Sequence, residues 1–163
     1  MAVQIRVAGI VKESIADGPG IRYVVFAQGC RHNCPGCHNP QTHPFEGGFM
    51  MDVDEILQQI KSNPLLDGVT FSGGEPFEQA AAFAVLAREV ARLGLNIIVY
   101  TGYTYEHIRE NGSAHPGWSE LLETADTLVD GPFKQELHDP ILRFRGSSNQ
   151  RIIDLKGRGN YWS

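Results

Sequence analysis

Val69-Thr-Phe71, Ser72-Gly-Gly-Glu-Pro76, Glu78 to Leu93, Gly94 and Ile97 to Tyr100 follow in direct succession: a β-branched run, a glycine turn, an amphipathic segment, a stop and another β-branched run. Phe83, Leu86, Ala87, Val90 and Leu93 keep the i, i+3, i+4, i+7 spacing of one helix face, while Arg88, Glu89 and Arg92 lie elsewhere on the cylinder. Gly94 supplies a left-handed stop. Strand, helix and strand in this order favour two parallel strands joined by a crossover.

Outward from this unit the same alternation continues. Ile5 to Val11 and Ile21 to Ala27 read as strands before it, and Thr127 to Val129 and Ile152 to Leu155 as strands after it. A second helix is expected from about Asp52, with Asp52 and Glu55 spaced as a capping pair and Ile56, Leu57 and Ile60 as its buried stripe. Shorter helices are expected around Tyr105 to Arg109 and Ser119 to Ala125. The pattern predicts an α/β fold with a largely parallel sheet, whose ligands sit at the carboxyl ends of the strands. No repeat or linker divides the chain, so residues 1–163 read as one domain. A closed eight-unit β/α barrel takes about 250 residues, and this length accommodates only about five units, so the expected form is an incomplete barrel. Its open side is expected to admit a large partner.

The net charge of −5 argues against a broad nucleic-acid or membrane-surface binder. Residues 1–130 hold 8 basic and 16 acidic side chains, whereas 131–163 hold 6 basic and 3 acidic. That basic tail reads first as solvated surface and secondly as an edge facing a partner or an anion. No apolar stretch approaches the ~18 residues of a membrane span, and a cytoplasmic location is expected. All 3 cysteines, Cys30, Cys34 and Cys37, fall within eight consecutive residues. An odd, clustered set cannot form a disulfide framework, so metal ligation is the reading to pursue.

Three soft thiolates in a C-x3-C-x2-C loop can wrap one compact metal centre. A structural zinc would need His32, His38 or His43 as fourth ligand, and such sites usually draw ligand pairs from two separated segments, which this chain lacks. A cubane 4Fe-4S cluster normally takes four thiolates, so three leave one iron open to a small molecule.

The cysteine loop after one strand, with Gly-Gly-Glu-Pro after the next, resembles the radical S-adenosylmethionine superfamily. Asp17-Gly-Pro-Gly20, Gly29-Cys-Arg-His-Asn-Cys-Pro-Gly-Cys-His-Asn-Pro40, Ser72-Gly-Gly-Glu-Pro76, Thr101-Gly-Tyr103, Val129-Asp-Gly-Pro-Phe133 and Arg145-Gly-Ser-Ser-Asn-Gln150 narrow the resemblance. In order and spacing they are similar to the activating proteins of the anaerobic, class III ribonucleoside-triphosphate reductase. This resemblance spans essentially the whole chain, and Arg145 to Gln150 is its most discriminating part. It implies Cys30, Cys34 and Cys37 as ligands of one 4Fe-4S cluster whose open iron chelates S-adenosyl-L-methionine. It also implies reductive cleavage to a 5'-deoxyadenosyl radical, which takes a hydrogen atom from a glycine of the reductase. Activation of another glycyl-radical enzyme, of the pyruvate formate-lyase type, and a non-catalytic metal-binding module are the alternatives.

The cofactor carries the bond-breaking step, so no side chain is assigned as catalytic acid or base. Gly73 and Gly74 allow close backbone approach, with exposed carbonyls for the methionine ammonium and Glu75 adding charge; a tight turn before a helix explains the motif equally well. Gly36, Cys37 and His38 are implied to lie along the adenosyl group. Asp17 to Gly20 reads as a turn that also shapes the site. Asp130 and Lys134 are candidates for the ribose or carboxylate, and Arg145 to Gln150 for the site rim or for docking the reductase. With no fourth cysteine there is no internal electron store, so the electron is expected from an external flavodoxin or ferredoxin.

Overall fold

The computed structural model describes residues 3–30, 32, 44–139 and 144–157. Its strands are β1 (Gln4–Ser14), β2 (Arg22–Ala27), β3 (Phe49–Asp52), β4 (Gly68–Gly73), β5 (Asn96–Tyr100), β6 (Thr127–Asp130) and β7 (Arg151–Asp154). All join one sheet in the order β3-β1-β2-β4-β5-β6-β7. β2, β4, β5 and β6 are parallel neighbours, while β1, β3 and β7 run antiparallel at the flanks. The sheet ends at β3 and β7 and stays open, as an incomplete barrel should.

The helices follow from the apolar spacing. They are α1 (Val53–Lys61), α2 (Ala80–Arg92), α3 (Tyr105–Asn111) and α4 (Trp118–Thr124). The stripes read from the sequence, Ile56 and Ile60 of α1 and Phe83, Leu86 and Val90 of α2, share one core with Tyr23, Val25, Val69, Phe71, Ile97 and Val99 of the sheet. The intervening strand residues point to the other, concave face, since side chains alternate along a strand.

That concave face is filled by the 15–21 loop. Arg22, only 1% exposed, donates through Nε to Thr70 Oγ1 at 2.7 Å and through Nη1 to the Pro19 carbonyl at 3.1 Å. Its Nη2 reaches the carbonyls of Val69 and Asn96 and the side-chain oxygen of Asn96. A buried guanidinium is tolerable only when its donors are satisfied in this way. Thr70 Oγ1 in turn donates to the Asp17 carbonyl at 2.9 Å. Gly18, at φ +138°, lies so close to the sheet that a Cβ there would stand 2.6 Å from Ile98 Cδ1.

Several boundaries differ from the sequence reading. β3 was not foreseen, because Phe49 and Met50 are exposed and show no alternation; pairing with β1, from Gln4↔Asp52 to Val7↔Phe49, creates it. β1 runs on to Ser14 through two register irregularities. The segment expected to be helical from Glu78 opens as a 3-10 turn over Pro76–Gln79, and α2 proper starts at Ala80. Asp52 sits at the N-cap of α1 but makes no capping bond, because its Oδ1 accepts from Gln4 Nε2 of the neighbouring strand at 2.9 Å. Gly94 takes φ +78° as expected, and its N–H closes on the Ala91 carbonyl.

β7 and α3 are held to β6 by Arg151. Its guanidinium bonds both carboxyl oxygens of Glu106 and both of the buried Asp130. The hydrogen bond from Arg151 holds the exposed Glu106 carboxyl below its ordinary range. A depressed folded value means that the pair's contribution is complete above the unfolded carboxylate value and is lost as pH falls through the folded one. Acid titration of stability at low salt should therefore be less steep for Glu106→Gln than for the wild type, and added salt should shrink the difference. Identical titrations would exclude this contribution.

Candidate cofactor site

The carboxyl ends of the parallel strands enclose a cavity of about 340 Å3, in the range of small-molecule sites. Cys30 and His32 enter it after β2, Ser72, Gly73 and Gly74 at the end of β4, Tyr100, Thr101 and Gly102 after β5, and Gly131 and Phe133 after β6. Asp17 of the concave loop also lines it, and Arg145, Gly146 and Gln150 complete the wall. Segments 133 positions apart in the chain, at Asp17 and Gln150, thus converge on one rim. Cys34, Gly36, Cys37 and His38 lie outside the described residues.

The Gly-Gly turn is imposed by close approach to β2. Gly73 has φ +119°, and a Cβ on it would stand 2.3 Å from the Ala27 nitrogen; one on Gly74 would stand 2.4 Å from the Ala27 carbonyl oxygen. The N–H groups of Gly74 and Glu75 donate to the carbonyls of Ala27 and Gly29 at 3.1 and 2.8 Å. Gly73→Ala is expected to cost about 1–3 kcal/mol in backbone strain alone. Denaturant unfolding of the metal-free protein measures this, and an unchanged midpoint would contradict it.

Glu75 is fully buried behind the turn and is not part of the cavity wall. Its Oε1 accepts from the Gly102 N–H at 2.8 Å and meets His32 Nε2 at 2.6 Å. Its Oε2 accepts from the Thr101 hydroxyl at 2.8 Å and the Phe77 N–H at 3.1 Å. These contacts use all of the roughly four lone-pair positions of a carboxylate. Burial pulls the His32 imidazole down, but the hydrogen bond and charge of Glu75, with the charge of Glu78, outweigh it and leave the ring above its ordinary value. His32 also packs on Tyr103 in a T-shaped contact, with ring centres 4.5 Å apart.

Arg145 to Gln150 is an ordered loop built around one amide. Gln150 Oε1 accepts from the N–H groups of Gly146 and Ser147, and its Nε2 donates to the Gly131 carbonyl. Asn149 ties the same loop to the Pro132 carbonyl at 2.9 Å. Arg145 Nη1 donates to the Gln150 carbonyl at 3.1 Å, while its buried Nε has no hydrogen-bond partner among the described residues. The solvated-surface reading of this stretch therefore gives way to a place in the cavity wall.

Asp130 is placed differently from the sequence expectation. Its carboxylate accepts from the Tyr105 N–H at 2.7 Å and from Arg151, so it is committed to holding β7 and α3. Lys134 is exposed and lies outside the cavity wall. Tyr100 was overlooked in the sequence. Burial first, and then the charge of Asp17 against an opposing effect of Arg22, raises its hydroxyl well above the ordinary value, so it stays a proton donor at neutral pH. Its position, one alternation after Ile98 on the concave face, was the available signal.

The residues present fit a cluster with a bound amino-acid-bearing nucleoside. A half-buried cysteine faces the cavity, Gly73 and Gly74 bring bare backbone to its wall, and the buried Nε of Arg145 has no hydrogen-bond partner among the described residues.

A family model described as a 4Fe-4S single cluster domain matches residues 16–153. The chain is 34% identical over 151 residues to the anaerobic ribonucleoside-triphosphate reductase-activating protein of Salmonella typhimurium, covering 87% of this chain and 94% of that protein. The protein of that name from Vibrio cholerae is 36% identical over 147 residues, covering 85% and 90%. The one from Enterobacteria phage T4 is 32% identical over 145 residues, covering 83% and 85%. Among solved structures, QueE from Escherichia coli superposes with a TM-score of 0.52 at 14% identity, covering 78% of this chain and 70% of that one. At that identity the likeness speaks for the fold alone.

Proposed function

Because the chain belongs to the family of anaerobic ribonucleoside-triphosphate reductase-activating proteins, with its 4Fe-4S single cluster domain, we propose that it generates the glycyl radical of such a reductase. The observation that carries this reading is the meeting of Cys30, the Gly73-Gly74 turn and Arg145 in one cavity at the carboxyl ends of the parallel strands. When bound, a 4Fe-4S cluster supplies one electron for reductive cleavage of S-adenosyl-L-methionine, whose 5'-deoxyadenosyl fragment then takes a hydrogen atom from the reductase glycine.

The chain's own residues bind, orient and exclude water. Cys30, Cys34 and Cys37 would hold the cluster as thiolates and leave one iron open. Backbone carbonyls at Gly73 and Gly74 would accept from the methionine ammonium. Glu75 contributes charge from behind them, since its own oxygens are engaged. Arg145, whose buried Nε has no hydrogen-bond partner among the described residues, suits the carboxylate. Gly36, Cys37 and His38 would follow the adenosyl group, and the Tyr100 hydroxyl would donate to a polar atom of the same ligand. A reduced flavodoxin or ferredoxin is the natural electron source, because three cysteines leave no ligands for a second cluster. A reducing cytoplasm suits three clustered thiols, and no helix among the described residues is long and apolar enough to cross a membrane.

The test is to mix the reconstituted, reduced protein with S-adenosyl-L-methionine and an anaerobic reductase and record electron paramagnetic resonance spectra. A glycyl doublet on the reductase is the expected result. A doublet only on a different glycyl-radical enzyme would move the assignment to that partner. One tightly bound zinc with no acid-labile sulfide would overturn the enzyme reading.

A further inference from the structure

Among the described residues, a 2.6 Å contact from His32 Nε2 to Glu75 Oε1 links the cysteine loop to the rest of the rim. His32 stands two residues after Cys30 and two before Cys34. Glu75 belongs to the Gly-Gly-Glu-Pro turn, and its remaining donors come from the β5 loop and from the turn itself. One fully buried carboxylate therefore gathers three rim segments. Of those, the cysteine loop is attached to it by a side chain, the β5 loop by both a side chain and a backbone N–H. Two neighbours from the β5 loop confine the His32 ring further. A Cβ on Gly102 would stand 2.5 Å from His32 Cδ2, and Tyr103 meets the ring in a T-shaped contact.

We propose that His32 is a positioning residue that fixes the seat of the cluster by tying the cysteine loop to Glu75. This rests on the proposed cluster-bearing function. Partners outside the immediate ligand set commonly orient metal ligands, their loss costing about 10–100-fold in metal affinity. The Glu75 carboxylate provides an anchor that is rigid because all of its positions are occupied. The same anchor sits directly behind Gly73 and Gly74, so the tie also sets the distance between the cluster seat and the cofactor turn. Cluster retention and S-adenosyl-L-methionine binding should then weaken together when it is cut, since coupling between two sites is reciprocal.

The experiment compares wild type, His32→Gln and His32→Phe after anaerobic reconstitution of the full chain. Three quantities are read: the rate of iron release to a chelator, the change in the reduced-cluster resonance spectrum on adding S-adenosyl-L-methionine, and thermal unfolding of the metal-free chains. Gln can still donate to Glu75, whereas Phe keeps the ring packing and loses the donor. The expected result is iron release about tenfold faster or more in His32→Phe, with a diminished spectral response, and values near wild type in His32→Gln. If His32→Phe does not fold, His32→Asn, too short to reach Glu75, takes its place. Wild-type release rates in the donor-less variant, or equal damage from Gln and Phe, would overturn the proposal. Failure of the wild type itself to take up a cluster would instead count against the proposed function.

Discussion

Cys30→Ala is expected to leave the fold of the metal-free protein intact and to abolish cluster-dependent chemistry. Cys30 lies just beyond β2 on the cavity wall, half-buried and outside the apolar core, so its loss removes no major packing. With two thiolates left, the ligand set falls below the three that the proposed cluster site uses. Iron and sulfide after reconstitution should drop to background, and no methionine or 5'-deoxyadenosine should form from S-adenosyl-L-methionine. Cys34→Ala should behave in the same way. Cofactor cleavage at wild-type rate in either variant would refute the assignment of these residues as ligands.

Glu75→Ala should be the most destabilising substitution at the rim. It strands the N–H groups of Phe77 and Gly102, the Thr101 hydroxyl and the His32 ring around a void. Each unsatisfied buried polar group costs about 1–3 kcal/mol, and water entering the void would repair part of the damage, so about 3–5 kcal/mol is the expected total. In a domain of this size that lowers the melting temperature by roughly 6–20 °C. Thermal unfolding of the metal-free chain measures it. A shift of less than about 3 °C would mean that Glu75 is not the hub the geometry describes.

Most of the architecture could be read from local chemistry. β-branched runs marked six of the seven strands among the described residues, and the apolar spacing of Phe83, Leu86 and Val90 marked the face that α2 buries. What escaped depended on partners distant in the chain. β3 owes its existence to β1, and Asp52 is diverted from its cap by Gln4, 48 residues away. The site divides in the same way. Cysteine spacing and glycine turns are local signals, and they led to Cys30, Gly73 and Gly74. The saturation of Glu75 was illegible, because Thr101 and Gly102 lie 26 and 27 residues beyond it and His32 lies 43 before it. Asp130 shows the reverse case: a carboxylate after a parallel strand invites a ligand-binding reading until Arg151, 21 residues on, is seen to occupy it.

The alternation along the parallel strands also bears on how such a protein can change over time. Val69, Phe71, Ile97 and Val99 hold the helices, whereas Ser72 and Tyr100, on the same two strands, face the cavity. Stability and ligand chemistry are thus encoded at interleaved positions of the same segments. Substitutions at the strand-end positions Ser72 and Tyr100, beyond the buried Arg22 and Thr70 network, can retune what the cavity accepts while the hydrophobic register stays untouched, which makes the scaffold readily diversified by single-residue steps.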